Sequence, residues 1–161
     1  MNQQNLTSKI QRKSIEAGFD LFGVSSPDLD KKNSLILDEW LNKGYHASMN
    51  WIEKRKKERK NIYEYFPEVK SVISLGYNYY TGENPINSKE YKISNYAWGE
   101  DYHIIIKDKL YEIIRYIESQ INSDFKFRVC VDTSPILEKS WAQRAGLGWI
   151  GKHTNLINEN I

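Results

Sequence analysis

Asp132, in the run Val-Asp-Thr-Ser-Pro, is an acid that follows an apolar stretch and precedes a proline. It can cap the free amides of a helix opening near Pro135, a role that Thr133 or Ser134 could equally fill, which would free Asp132. Further along, Gly146, Gly148 and Gly151 lie close enough together for backbone to approach a ligand and turn its amides toward it. Lys152 and His153 then add donors suited to a phosphate or an amide-rich rim. A glycine-rich turn ending a helix explains the same spacing, because the strand–GxGxxG–helix context of a dinucleotide site is missing. Tyr102 and His103 stand at the start of a long helical pattern, Tyr102 in line with its apolar stripe and His103 one step round. They read either as core and boundary residues or as a helix end that meets a ligand. The run KRKKERK, Lys54 to Lys60, reads as a solvated helix face, and Glu58 within it fits that. With Tyr63, Tyr65 and Phe66 nearby, it also suits phosphates and stacked bases.

The elements that must position these residues follow from periodicity. Leu6, Ile10, Ile15 and Ala17 predict a first helix stopped by Gly18, and 19–24 a short strand. A second helix is expected over 33–42, with Leu37, Trp40 and Leu41 inward and Gly44 as its stop. Alternation over 69–79 predicts a strand with Val69, Ser71, Ile73 and Leu75 on one face. Thr81 to Ser88 is polar and turn-like. The clearest helix is 101–119, with Ile106, Leu110, Ile113, Ile114 and Ile117 as its stripe. A strand over 125–131, a helix over 135–145 with Pro135 near its first turn, and a loop-then-strand over 149–157 complete the pattern. The expected class is α+β, a mixed and partly antiparallel sheet flanked by helices in one domain, residues 1–161. The final LINENI reads as a strand running out with no element to close it, which suggests truncation.

The bulk numbers narrow the function classes. The 161 residues suffice for one core without staples. A net charge of +2 gives no global field toward nucleic acid, so any basic partner surface must be local. Cys130 is the single cysteine. It allows no intramolecular disulfide and no iron–sulfur cluster, which takes about four cysteine ligands. With only three histidines scattered along the chain, no structural zinc site is expected either. The first residues lack an apolar signal region, and no stretch approaches the ~18 apolar residues of a spanning helix. The expectation is a cytoplasmic protein with no membrane partner. The abundance of aromatic residues (11 Tyr, 5 Trp, 5 Phe) fits ordinary packing, or a large flat ligand or stacked bases.

Four segments in fixed order carry a family likeness: YHASMNWI (45–52), YAWGEDYH (96–103), VDTSPILEKSWAQRAGLGWIGKH (131–153) and TNLI (154–157). Each resembles the corresponding segment of epoxyqueuosine reductases, and the likeness runs over nearly the whole chain. The resemblance implies the last step of queuosine synthesis in the wobble position of tRNA, in which a cyclopentane epoxide is reduced to the alkene. It implies a cobalamin cofactor and electrons delivered through two 4Fe–4S clusters. It further implies that Asp132 is the proton donor, since the departing oxygen is a poor leaving group unless protonated. A positioned acid contributes about 10²–10⁴-fold to such a step, and a corrin beside it would favour the protonated carboxyl. The resemblance also places Lys57, Tyr102, His103, Asp132, Lys152, His153 and Leu156 against the cofactor. Asp101-Tyr-His103 mimics the start of the D-x-H-x-x-G signature of enzymes that ligate cobalt through histidine. Position 106 is Ile, however, so His103 is not read as an axial ligand and no metal-ligating residue is assigned.

The family continues into a cysteine-rich ferredoxin-like stretch and a helical repeat domain, neither of which appears in this sequence. The expected partners are the anticodon stem-loop of tRNA, cobalamin, and an external electron donor or cluster-bearing polypeptide. The chain alone is expected to be inactive. Two alternatives stand beside this: a non-enzymatic cobalamin carrier, which has no need of Asp132, and a tRNA-binding module without chemistry, which would depend on Lys54 to Lys60.

Overall fold

The computed structural model describes residues 3–80, 82, 93–121 and 124–161. The chain is α+β: helices carry much of it, with two two-stranded sheets, β1–β2 and β3–β4. In order the elements are α1 (Gln3–Glu16), β1 (Leu21–Ser25), α2 (Lys31–Asn42), α3 (Asn50–Lys54), α4 (Lys56–Lys60), α5 (Ile62–Tyr65), β2 (Val72–Gly76), α6 (Tyr102–Gln120), α7 (Glu138–Arg144), β3 (Trp149–Ile150) and β4 (Leu156–Ile157). A single 3₁₀ turn, Asn95–Ala97, precedes α6. Most of the predicted 81–88 turn lies outside the described residues. By contacts the chain divides into two compact units, the first of residues 1–22, 75–125 and 161, the second of 23–74 and 126–160.

The first unit is built on α1 and α6. Ile113 and Ile117, one turn apart on α6, pack with Ile10, Ala17 and Phe19, and the predicted stripe residues Ile106, Leu110 and Ile114 flank them. The i, i+3/i+4 spacing read from the sequence is therefore the packing face. Lys13 pairs with Glu112 across the two helices, and Lys109 donates to the carbonyl of Ala17 at the end of α1. That end is closed by two bonds, Gly18 N–H to Ile15 O and Phe19 N–H to Ser14 O, which deliver Phe19 into the core.

The second unit gathers α2 to α5, α7 and the β3–β4 hairpin. Ile62, Phe66 and Val69 form its core cluster, with Tyr65, Val72 and Trp141 packed against them. Asp30 caps α2 by accepting from the amide of Asn33. The Asn33 side chain donates to Ser140 of α7, and Arg144 donates to the carbonyls of Asp28 and Ser26. These three groups fasten α7 to the start of α2.

Four expectations differ. The 69–79 strand shrinks to Val72–Gly76 and has no single buried face: Val69 is in the second unit's core, Leu75 packs on the first unit's, and Ile73 is exposed. Residues 125–129 alternate in burial as a strand would, yet 125–131 form none among the described residues. The helix expected from Pro135 begins at Glu138, leaving Pro135 buried in the preceding loop. LINENI does not run out unpaired: Leu156 and Ile157 pair antiparallel with Ile150 and Trp149.

Candidate functional site

Five of the seven candidate residues lie in the second unit: Lys57, Asp132, Lys152, His153 and Leu156. Tyr102 and His103 belong to the first. Each group has its own local frame.

Asp132 does not cap α7. The N-cap of that helix is Leu137, and no side chain bonds to its first amides. Neither Thr133 nor Ser134 reaches that position. Instead Asp132 is the centre of a tight turn: the amide of Thr133 donates to the carbonyl of Val131 at 2.6 Å, and Asp132 sits at φ +55°. A bond between residues two apart around a positive φ is the rarer, strained form of γ-turn. Three contacts fix the turn. Val131 is buried. Ser134 Oγ lies 3.4 Å from the hydroxyl of Tyr65. The amide of Asp132 donates to Glu138 Oε1 at 2.9 Å. A non-glycine residue at positive φ costs on the order of 1–2 kcal/mol, and a hydrogen bond to an ionised acceptor returns about the same. The bond to Glu138 thus offsets the strain of the turn, which leaves the Asp132 side chain exposed. Cys130, one residue before the turn's buried anchor, has its thiol pushed up by burial, so it is a poor nucleophile.

Lys152 and His153 occupy the turn of the β3–β4 hairpin. Its shape comes from the amide of Gly151 donating to Asn155 O, that of Thr154 donating to Gly151 O, and Thr154 at φ +67°. Lys139 of α7 clips the turn by donating to Thr154 O and Asn155 Oδ1, each at 3.0 Å. The hairpin can fold back because position 148 is glycine: a Cβ there would lie 2.0 Å from the carbonyl of Ile157. His153 Nδ1 accepts from the amide of Asn155 at 3.1 Å, so in the neutral ring the proton is on Nε2. Both His153 and Lys152 are exposed, and Leu156 is half-buried in β4. Gly148 and Gly151 are therefore spent on close packing, in a turn that leaves the Lys152 and His153 side chains exposed.

Tyr102 and His103 open α6. Asp101 caps the helix, accepting from the amide of His103 at 2.9 Å and meeting its Nδ1 at 2.8 Å. Those two bonds, the backbone one foremost, hold the Asp101 carboxyl below its ordinary range. The rings of Tyr102 and His103 stack at 4.0 Å, and Tyr102, Tyr96 and Tyr79 continue edge to face at about 6 Å. This tyrosine ladder was not expected from the sequence; the aromatic count was its only trace.

The charge run resolves into paired and unpaired members. Arg55 pairs with Glu58, and Lys60 with Asp38. Arg59 is half-buried, with an Nε that lacks a partner among the described residues. Lys54, Lys56 and Lys57 point to solvent. No group of three or more His, Cys, Asp or Glu among the described residues is arranged to hold a metal ion. No described helix is long and apolar enough to cross a membrane.

Known proteins share a likeness with this chain. Residues 59–133 match the family model described as Epoxyqueuosine reductase QueG, DUF1730. An epoxyqueuosine reductase of Prochlorococcus marinus (strain NATL2A) is 40% identical over 163 residues, covering 99% of this chain and 51% of the relative. The solved epoxyqueuosine reductase of Streptococcus thermophilus is 26% identical, with a TM-score of 0.75 over 98% of this chain and 42% of its own. A second solved epoxyqueuosine reductase, crystallised with a modified tRNA-Tyr stem loop, shares the fold at 22% identity and a TM-score of 0.81. The chain is similar to these epoxyqueuosine reductases over nearly its whole length. It spans about half the length of the curated relatives it matches.

Proposed function

We propose that this chain is the cobalamin-binding, proton-donating portion of an epoxyqueuosine reductase acting on the wobble base of tRNA. The observation that carries the reading is Asp132: an exposed carboxyl on a strained, braced turn, in a position where capping does not account for it. The donor set suits the cofactor. Lys152 and the Nε2–H of His153 match the phosphate and amide rim of a cobalamin, and Leu156 offers apolar surface beside them. Lys57 is a further proposed contact within the same unit, and Tyr102 and His103 are proposed on the family likeness alone.

The reaction is a two-electron reduction. Both C–O bonds of the epoxide break, a C=C bond forms, and the oxygen leaves as water after taking two protons. Cobalamin, when bound and reduced, supplies the electrons at the ring carbon. Asp132 gives the first proton to the departing oxygen, which would otherwise leave as an alkoxide. The electrons come from outside these 161 residues, whose single cysteine, Cys130, cannot ligate a cluster. The relative crystallised with a tRNA stem loop supports RNA as the substrate class.

The test is a titration of the purified chain with cob(II)alamin, followed by absorbance and EPR, for wild type and Asp132→Asn. Binding by both, with a cobalt signal free of protein nitrogen ligation, supports the reading. Absence of binding at high micromolar cofactor sinks it.

A further inference from the structure

We propose that Glu138 is a positioning residue, which sets the direction of the Asp132 carboxyl by holding the Asp132 amide. This rests on the reading of Asp132 as proton donor and adds the group that aims it.

Glu138 occupies the first turn of α7, where an acidic side chain would ordinarily interact with its own helix's amides. Here it turns back and accepts, at 2.9 Å, from an amide six residues earlier. That amide belongs to the residue at φ +55°. The other bond of the turn, Thr133 N–H to Val131 O, closes the ring but does not choose which way the aspartate points. Glu138 does, because it fixes the peptide plane entering Asp132 from a rigid element. α7 is itself fastened through Ser140 and Arg144 to the segment that starts α2. The aim of the acid is thus transmitted from packed helices to an exposed loop through one carboxylate. Glu138 stands three residues after Pro135, in the same segment as the acid it would aim.

Two conservative changes separate reach from charge. Glu138→Gln keeps an acceptor oxygen at the same distance and loses the charge. Glu138→Asp keeps the charge in the first turn of α7 and withdraws the oxygen by one methylene. A positioning role predicts that Gln preserves the turn and Asp does not; a helix-dipole role predicts the reverse. The readout is amide hydrogen exchange by NMR on the whole chain, with the three-bond coupling at Asp132 reporting its φ. Asp132 N–H should exchange about tenfold faster in Glu138→Asp and Glu138→Ala than in wild type or Glu138→Gln. The amides of 140–144 should be unchanged. Equal protection in all four proteins, or loss in Gln together with Ala, overturns the proposal.

Catalysis is read separately, by single turnover of the epoxide with cobalamin reduced by titanium(III) citrate. Glu138→Asp should lower the rate by up to about 10²-fold at unchanged cofactor affinity, and Glu138→Gln should restore most of it. If the exchange pattern holds but wild type neither binds cob(II)alamin nor turns over, the proton-donor reading has failed and the catalytic half of this proposal with it. The exchange data alone decide whether Glu138 holds the turn.

Discussion

Asp132 occupies a backbone conformation that selects among its replacements. At φ +55° aspartate and asparagine are tolerated, whereas a β-branched residue is strained. Asp132→Asn should therefore fold like wild type, with a melting temperature shifted by no more than about a degree. Asp132→Val should be destabilised by about 1–3 kcal/mol. Thermal melts of the two variants check this. A loss of folding in the Asn variant would mean that the carboxylate is a structural group, and any activity loss would then say nothing about proton transfer. Cys130 gives a second prediction at this scale. Burial raises its thiol, so at pH 8 less thiolate is present than in the unfolded chain. Iodoacetamide should label it slowly in the native protein and rapidly in urea. The sign for stability follows: the contribution is full below the unfolded thiol's value and is lost as pH rises through the folded one. Fast native labelling would show that the segment around the turn opens readily.

The elements divide according to how local their causes are. Helix α6 was legible because Ile106, Leu110, Ile113, Ile114 and Ile117 share one face whatever packs on it, and α1 because Gly18 punctuates it. The 125–131 strand was misread: alternation measures which side chains are buried, and it cannot reveal whether a neighbouring strand is there to pair. The start of α7 was misread because Ser-Pro is a good helix opening in isolation, while here Pro135 is buried and the chain bends through the Asp132 turn first. The role of the glycines around Lys152 and His153 was not legible, since the close approach of Gly148 to Ile157 is a tertiary fact. That contact predicts an asymmetry. Gly148→Ala meets the Ile157 carbonyl and should destabilise the β3–β4 hairpin by several degrees of melting temperature. Gly146→Ala meets nothing within 4 Å and bears only the strain of its φ of +81°, so it should lose less. Equal losses would show that the hairpin does not need the close approach. Between α1 and α6, the Lys13–Glu112 pair lowers the Glu112 carboxyl and raises Lys13, chiefly through their mutual hydrogen bond. Its contribution is full between the ordinary carboxylate and lysine values. It is lost as pH falls through the lowered value of Glu112 or rises through the raised value of Lys13. Glu112→Gln should flatten the acid limb of the stability profile, by a small amount for so exposed a pair.

For the whole chain, the net charge of +2 means that affinity for an RNA stem-loop has to come from a local surface. The charge run is the candidate for it, but not with all six of its cations. Arg55 and Lys60 are tied to Glu58 and Asp38, and the Nε of Arg59 is buried. Neutralising a tied lysine removes an intramolecular pair and a fixed charge together, while neutralising Lys54, Lys56 or Lys57 removes a cation presented to solvent. Counterion release converts that distinction into a measurement: each phosphate contact contributes about 0.7–0.9 to the slope of log affinity against log salt. Replacing Lys54, Lys56 and Lys57 together by Gln should lower the slope for an anticodon stem-loop by about 2, uniformly across loop sequences. Lys60→Gln should leave the slope within error and show its effect in thermal stability instead. A slope unchanged by the triple substitution would place the RNA surface elsewhere on the chain. In that case the run is a solvated face, and the tyrosine ladder of Tyr79, Tyr96 and Tyr102, which stacks without salt dependence, becomes the element to substitute next.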